Sequence, residues 1–291
     1  MVNNYKINVN SVICVGDTHG ELMAIAGYIK QYGLHDTAII VCGDVGIGFM
    51  KKDAYIQFFH KIKKTLSKYN CYLILVRGNH DKKEWFDGET FNDKRVKAVP
   101  DYSVLSFYPL EDTEYEESPY NVLCVGGAIS IDRSDRIEKN DYLLMKYWEH
   151  HFFFEDITKI EKNAPKEYWE DEYPVYNEEA LNELKNKGIQ INGVVTHTAP
   201  SFCPLITKDG IAEWMKKDEN LYKDLYNERN VMDMLYNKLK NDGHPLTNWC
   251  YGHFHQHQYT YIDGIKFIML DMVRKGRLDG VEITCLDERF S

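Results

Sequence analysis

Five short polar signatures interrupt the apolar runs of this chain. They are "GDTHG" with Asp17 and His19, "CGD" with Asp44, "RGNHD" with Asn79, His80 and Asp81, "VTHTAP" with His197, and "GHFH" with His253 and His255. Imidazole nitrogens with carboxylate or amide oxygens, and no thiolate among them, form a donor set for divalent transition metals. One such signature is ordinary, because Gly-Asp after a strand is common turn chemistry. Five accidental ones would leave many polar groups partly buried without partners, at roughly 1–3 kcal/mol each. A shared metal cluster would satisfy them together.

Seven of these residues, Asp17, His19, Asp44, Asn79, His197, His253 and His255, exceed the about four to six ligands of one ion. They suit two ions sharing a carboxylate. In two-metal hydrolytic sites the ions lie about 3.5–4 Å apart and clamp the attacking and leaving oxygens. A bridging water would lose its proton near neutral pH and attack phosphorus in line. The expected cofactors are two divalent transition-metal ions, manganese first, with iron or zinc also compatible.

Such scattered residues can act together only if the fold gathers them. The runs "SVICVGD", "TAIIVCGD", "CYLILVRGN", "YNVLCVGG", "INGVVTH" and "TNWCYGH" read as buried strands by length, Val/Ile content and the Gly or polar residue closing each. Helical patterns cover Glu21 to Tyr32 and Asp53 to Tyr69, the latter with Ile56, Phe59, His60, Ile62, Lys63 and Leu66 at helical spacing. Alternation of this kind predicts an α/β fold, in which ligands gather outside the carboxyl ends of the strands. Near the end of the chain, "QYTYIDGIKFIMLD" reads as a hairpin turning on Asp-Gly, and "GVEITCLD" as one more strand.

The ordered set Asp-x-His, Gly-Asp, Gly-Asn-His-Asp, an isolated His and Gly-His-x-His resembles the calcineurin-like metallophosphoesterase superfamily over residues 12 to 255. The resemblance implies two packed mixed β-sheets flanked by helices, a four-layer sandwich with both metals at the carboxyl ends of the strands. It implies that Asp17, His19 and His255 hold the first metal, that Asn79, His197 and His253 hold the second, and that Asp44 bridges. His80 is then the acid beside the leaving oxygen, Asp81 orients its imidazole, and Gly78 permits the sharp turn. The implied activity is hydrolysis of a phosphoric ester.

The sequence departs from the protein serine/threonine phosphatase branch, because "VGIGFM" follows Asp44 where that branch carries Gly-Asp-x-Val-Asp-Arg-Gly. The missing phosphate-binding Arg leaves Arg133 and Arg136 of "GGAISIDRSDR" as replacements. Arg77 stands between two roles, a phosphate contact and a salt bridge below the site. His35, His60, His150, His151, His244 and His257 follow no strand-end rule and are expected at the surface or in packing, with His150 and His151 as candidates to line a substrate pocket. "GDVGIG" has neither dinucleotide spacing nor the Lys-Ser/Thr of a phosphate loop.

The chain reads as one domain, 1–291, with insertions at about 129–190 and 199–247 forming a rim over the metals. Within the second, Leu221, Leu225, Met232, Leu235 and Leu239 share a face that reads as core-facing, the pattern being too short for a coiled coil. At 291 residues and 44% hydrophobic content a sizeable core is feasible. No apolar run approaches the roughly 18 residues of a bilayer span, and the first residues show no secretory signal, so the expected location is cytoplasmic, away from membranes. Seven cysteines, with no C-x-x-C, read as reduced core thiols. A net charge of −10 argues against an extended nucleic-acid-binding face, leaving a phosphorylated substrate as the expected partner; the oligomeric state is open. The leading reading is a phosphatase. Its alternatives are a phosphodiesterase or nuclease, and a metal-binding scaffold without catalysis, in which His80 would have no purpose.

Overall fold

The computed structural model describes residues 2–110, 118–151, 156–203, 211–274, 278 and 280–286. One sheet runs, in spatial order, β1 (Asn4–Asn8), β6 (Ser103–Tyr108), β7 (Tyr120–Val125), β8 (Gly193–Thr196), β9 (Asn248–Tyr251), β11 (Ile265–Met269) and β10 (Gln258–Ile262). The other runs β12 (Gly280–Cys285), β2 (Ser11–Val15), β3 (Thr37–Cys42), β4 (Tyr72–Val76) and β5 (Val96–Ala98). Both are mixed: β2 to β5 and β7 to β9 are parallel, while β12, β10 and the β6–β7 pair supply antiparallel partners.

Strands buried on both faces alternate their side chains between two apolar layers. Ile39, Val41, Leu73 and Leu75 point toward the helices α1 (Met23–Tyr32) and α2 (Lys52–Lys68), whereas Ala38, Ile40, Cys42, Ile74 and Val76 fill the space between the sheets. On the far side Val194, Trp249 and Phe267 pack with α5 (Glu178–Asn186) and α7 (Leu221–Asn241). The result is the four-layer sandwich. Cys14, Cys42, Cys124 and Cys250 lie in the layer between the sheets, and they, Cys71 and Cys203 are unpaired and buried, so they pack as small apolar groups.

The helices fall within two residues of their expected bounds. The buried face of α2 is Tyr55, Phe59, Ile62 and Leu66, with Ile56 and His60 facing water instead. The hairpin is also present: Ile262 pairs with Ile265 across Asp263 and Gly264, both at positive φ (51° and 79°), as a two-residue turn of this hand requires. Strands β1 and β6 carry Asn and Ser and give no apolar run. Their polar groups are satisfied inside the sheet, where Ser106 bonds the side chains of Asn4 and Asn121 at 2.8 and 2.7 Å.

The stretches expected as insertions are partly framework. Helices α5 and α7 are crossover helices packed on the seven-stranded sheet, while α3 (Arg133–His151), α4 (Ile157–Asn163) and α6 (Ile211–Lys217) also fall within those stretches. The stripe on α7 buries Leu221, Met232, Leu235 and Leu239 in the core. Among the described residues no helix is long and apolar enough to cross a membrane.

Candidate metal centre

Every signature follows the carboxyl end of a strand. Asp17 and His19 follow β2, Asp44 follows β3, Asn79 to Asp81 follow β4, His197 follows β8, and His253 and His255 follow β9. Because β2 to β4 belong to one sheet and β8 and β9 to the other, the site forms where the two packed sheets present the same end. The chain approaches itself closely there. A Cβ on Gly78 would collide with the backbone and carboxylate of Asp44, and one on Gly252 with the carboxylate of Asp17, so only glycine fits before Asn79 and His253.

His19, Asp44, His253 and His255 all adopt left-handed backbone, with φ of 43°, 44°, 69° and 52°. Such conformations cost on the order of 1–3 kcal/mol each for residues with a Cβ and persist where surrounding structure imposes them. Here they turn side chains toward a common point.

Ligand atoms of Asp17, His19, Asp44 and His255 all lie within 4.8 Å of one another. The ring nitrogens of His19 and His255 face each other at 3.1 Å, and His255 Nε2 is 3.0 Å from Asp17 Oδ2. Beside this group, His197 Nε2 lies 2.8 Å from Asn79 Oδ1 and 3.2 Å from Asp44 Oδ1. The His253 ring packs edge-on to His197 at 5.0 Å, while its backbone amide donates to Asp17 at 3.0 Å. All seven expected ligands are therefore gathered, with Asp44 reaching both groups: its Oδ2 is 4.0 Å from His19 Nδ1.

Electrostatics fit a cation-binding role. Burial disfavours the Asp44 carboxylate, yet His80, His197 and His19 around it hold its pKa well below the usual carboxylate range. Burial likewise opposes charge on His197, but Asp44 and Asp17 raise the imidazole to about 10. His197 Nδ1 is bonded to the Cys42 carbonyl at 2.8 Å, so its extra proton sits on Nε2, between Asn79 and Asp44. That proton occupies the position a metal would take. Oxygen and imidazole donors without thiolate fit divalent transition metals, and two facing imidazole nitrogens beside a carboxylate are best reconciled by a cation between them.

His80 stands at the edge of the cluster, its Nε2 3.8 Å from Asp44 and its side chain 14% exposed. Its Nδ1 is buried without a hydrogen-bond partner. Burial lowers its pKa despite the nearby Asp44, and Arg136 adds to the lowering. Asp81 does not touch His80, contrary to the orienting role expected of it. Its carboxylate accepts the backbone N–H groups of Gly78, Val45, Gly46 and Ile47 at 2.8–3.0 Å, and so locks the loop after β3 against the loop after β4. Four inward amides at one point outcompete a neighbouring ring. Burial, reinforced by Asp44, lifts its pKa to about 6.

The arginines are redistributed as well. Arg77 is 1% exposed and bonds Asp101 and the carbonyls of Glu172, Gly126 and Tyr173, so it is a buried structural cation, not a phosphate ligand. Arg133 is engaged by Asp218 at 2.5 Å and Asp224 at 2.7 Å, which removes it as a free phosphate contact. Arg136 pairs locally with Asp132, at 2.7 Å, and is close enough to influence His80. Of the remaining histidines, His151 stacks on Tyr147 and His244 accepts the Ile191 amide.

Sequence reasoning missed two buried carboxyls that reach the ligand loops. Glu172 bonds Ser130, which bonds Asn79; Glu228 bonds Thr198, next to His197, and the amide of Ile129. Burial raises both, Glu172 to about 8. Their signal, a Glu in an acidic cluster and a Glu on a helix, looks like solvated surface.

The family model for calcineurin-like phosphoesterases matches residues 11–257, and the chain belongs to that family of metal-dependent hydrolases acting on phosphoric ester bonds. No curated protein sequence matches it. Similar solved structures include a dimetal phosphatase from Danio rerio, 11% identical with a TM-score of 0.45, covering 91% of this chain and 88% of that one. Another is a phosphopantetheinyl hydrolase from Mycobacterium tuberculosis, 15% identical with a TM-score of 0.34, covering 91% and 90%. A third is an inner-membrane-complex anchor of Plasmodium, at 12%, 0.37, 89% and 70%.

Proposed function

We propose that the protein is a phosphatase for small phosphorylated substrates, working with two manganese ions. Two divalent ions at Asp17, His19, His255, Asp44, Asn79, His197 and His253 would supply Lewis-acid charge and an acidified water. The chain's own residues do the rest. Asp44 holds the two halves together, and the amides gripped by Asp81 fix the loops after β3 and β4 relative to each other. His80, at the mouth beside Asp44, acts as the acid for the departing ester oxygen, the anionic substrate offsetting the burial and Arg136 charge that lower its pKa in the free protein.

The observation that carries this reading is the grouping at the mouth: His80 within 3.8 Å of Asp44, with Arg136 near enough to influence it. A scaffold would have no use for an imidazole with an unpartnered buried nitrogen there. One locally paired cation suits a compact phosphoryl group, whereas a polynucleotide calls for a basic track and this chain carries a net charge of −10. The test is turnover of mono- against bis-nitrophenyl phosphate with manganese, iron and zinc supplied separately. Preference for the monoester, highest with manganese, is expected; preference for the diester transfers the reading to phosphodiesterases.

A further inference from the structure

Asn79 can serve as a metal ligand only through Oδ1, because its Nδ2 carries no free lone pair. Which end of the amide faces the site is set by its hydrogen-bond partners. Nδ2 lies 2.8 Å from Ser130 Oγ and 3.3 Å from His80 Nε2, while Oδ1 lies 2.8 Å from His197 Nε2. A serine hydroxyl both donates and accepts, so Ser130 alone would take either end of the amide. Glu172 removes that freedom. Its Oε1 accepts the Ser130 backbone N–H at 2.8 Å and its Oε2 accepts the Ser130 hydroxyl at 2.6 Å. With its proton committed to Glu172, Ser130 Oγ can only accept, and only Nδ2 of Asn79 satisfies it.

The chain of bonds is anchored from the same loop that carries Asn79. Arg77 donates to the Glu172 carbonyl at 2.7 Å, and the Ala128 amide donates to it at 3.1 Å. Glu172 is 1% exposed, Ser130 2% and Asn79 2%, so the relay is shielded from bulk solvent. Burial raises the Glu172 carboxyl to about 8, so the relay takes this polarity in the ionised form that predominates above that pH, and the metal titrations that test it are run there.

We infer that Glu172 and Ser130 are positioning residues for the buried half of the metal centre: through the sequence Glu172 to Ser130 to Asn79 they fix the amide of Asn79 with its oxygen toward the metal. This rests on the two-metal reading. It also gives the segment before α5 a task at the site that a rim over the metals would not have.

Glu172→Gln tests it, because the substitution keeps shape and inverts polarity. The Ser130 backbone N–H must still be accepted, so the glutamine oxygen faces it and the glutamine NH2 donates to Ser130 Oγ. The hydroxyl proton then turns toward Asn79 and disfavours Nδ2 there. Manganese alone is the probe, followed by calorimetric titration and by the spin-coupled electron paramagnetic resonance signal of a manganese pair. Wild type is expected to bind two equivalents and give the coupled signal; if it binds only one, the two-metal reading itself fails, independently of the variants.

With two bound by wild type, Glu172→Gln and Ser130→Ala should keep the first equivalent and weaken the second by about 10- to 100-fold, the usual size for such outer contacts. The metal-free melting temperature of Glu172→Gln should stay close to wild type, and Glu170→Gln, at an exposed neighbour, should bind both equivalents normally. In an Asn79→Asp background, where no amide remains to be oriented, adding Glu172→Gln should change the second equivalent no further. A wild-type second equivalent in Glu172→Gln overturns the assignment. So does parallel loss of both equivalents, or an undiminished effect of Glu172→Gln in the Asn79→Asp background.

Discussion

Where Asp17, His19 and His255 meet, the two imidazole side chains are 26% and 32% exposed; where Asn79 and His197 meet, exposure falls to 2% and 0%. The outer half is held mainly by the backbone, through left-handed residues at His19 and His255 and the amide of His253 on Asp17. The inner half is braced by side chains from distant segments, Ser130 with Glu172 on one side and Thr198 with Glu228 on the other. The difference separates two tasks. An accessible half admits solvent and the phosphoryl group, while a buried half must be assembled by folding, so every polar group there needs a protein partner.

Asp44 is the residue the halves share, so Asp44→Ala should erase the comparison. At least one equivalent of manganese is expected to dissociate, with activity falling below detection, as metal analysis and turnover together would show. Retention of two equivalents would remove Asp44 from the bridge. His80→Ala should separate chemistry from binding. Turnover of an alkyl phosphate ester is expected to drop about 10²- to 10⁴-fold with both equivalents retained. The loss should shrink for nitrophenyl phosphate, whose leaving group needs little protonation. Full activity on the alkyl ester would dismiss His80 as the acid.

Arg77→Met probes the inner bracing from below. It strips a buried cation from Asp101 and from three carbonyls, and breaking such a pair costs about 3–5 kcal/mol. Urea unfolding should show a loss of this order, and KM should change little in the protein that remains folded. A large KM change with unaltered stability would return Arg77 to the phosphate.

Chelation sharpens the comparison kinetically. Metal should leave in two phases, the exposed half first, and the intermediate should lack the coupled manganese signal. A single phase would mean that the halves open together.

The smallest effect concerns pH. A metal entering the inner half must displace the proton on His197, whose pKa is raised to about 10. Below that value each such equivalent should release about one proton and bind more tightly as pH rises. The metal-free fold should respond oppositely. Its raised pKa gives a stability contribution complete below the ordinary imidazole value of 6.5 and lost as pH rises toward about 10. Asp81 and Glu172, raised to about 6 and about 8, act in the same direction over their own ranges. Thermal melts of chelated and manganese-loaded protein should therefore diverge between about pH 6.5 and about pH 10, the range over which the raised imidazole separates from an ordinary one. Parallel curves would show that the His197 proton and the metal do not compete.

The strands, the helices α1 and α2, the Asp-Gly hairpin and all seven ligand candidates were legible in the sequence because each rests on local chemistry: two-sided apolar runs, helical spacing, and polar residues placed where a strand stops. Strands β1, β5 and β6 were not, since the three residues of β5 are too few to set a pattern and Asn and Ser look unsuited to a sheet until Ser106 finds Asn4 and Asn121 across it. Asp81 was assigned to its chain neighbour His80, but four backbone amides, three of them from the loop after β3, claim its carboxylate. Arg77 and Arg133 carry charge that suits phosphate, and only tertiary contacts show that charge already committed. Glu172 and Glu228 are the strongest case. A glutamate's intrinsic preference is for water, so nothing in its own stretch of chain announces burial. What buries it is a hydrogen bond to a group far along the chain, 42 residues away for Ser130 and 99 for Ile129, and that partnership exists only once the fold has closed.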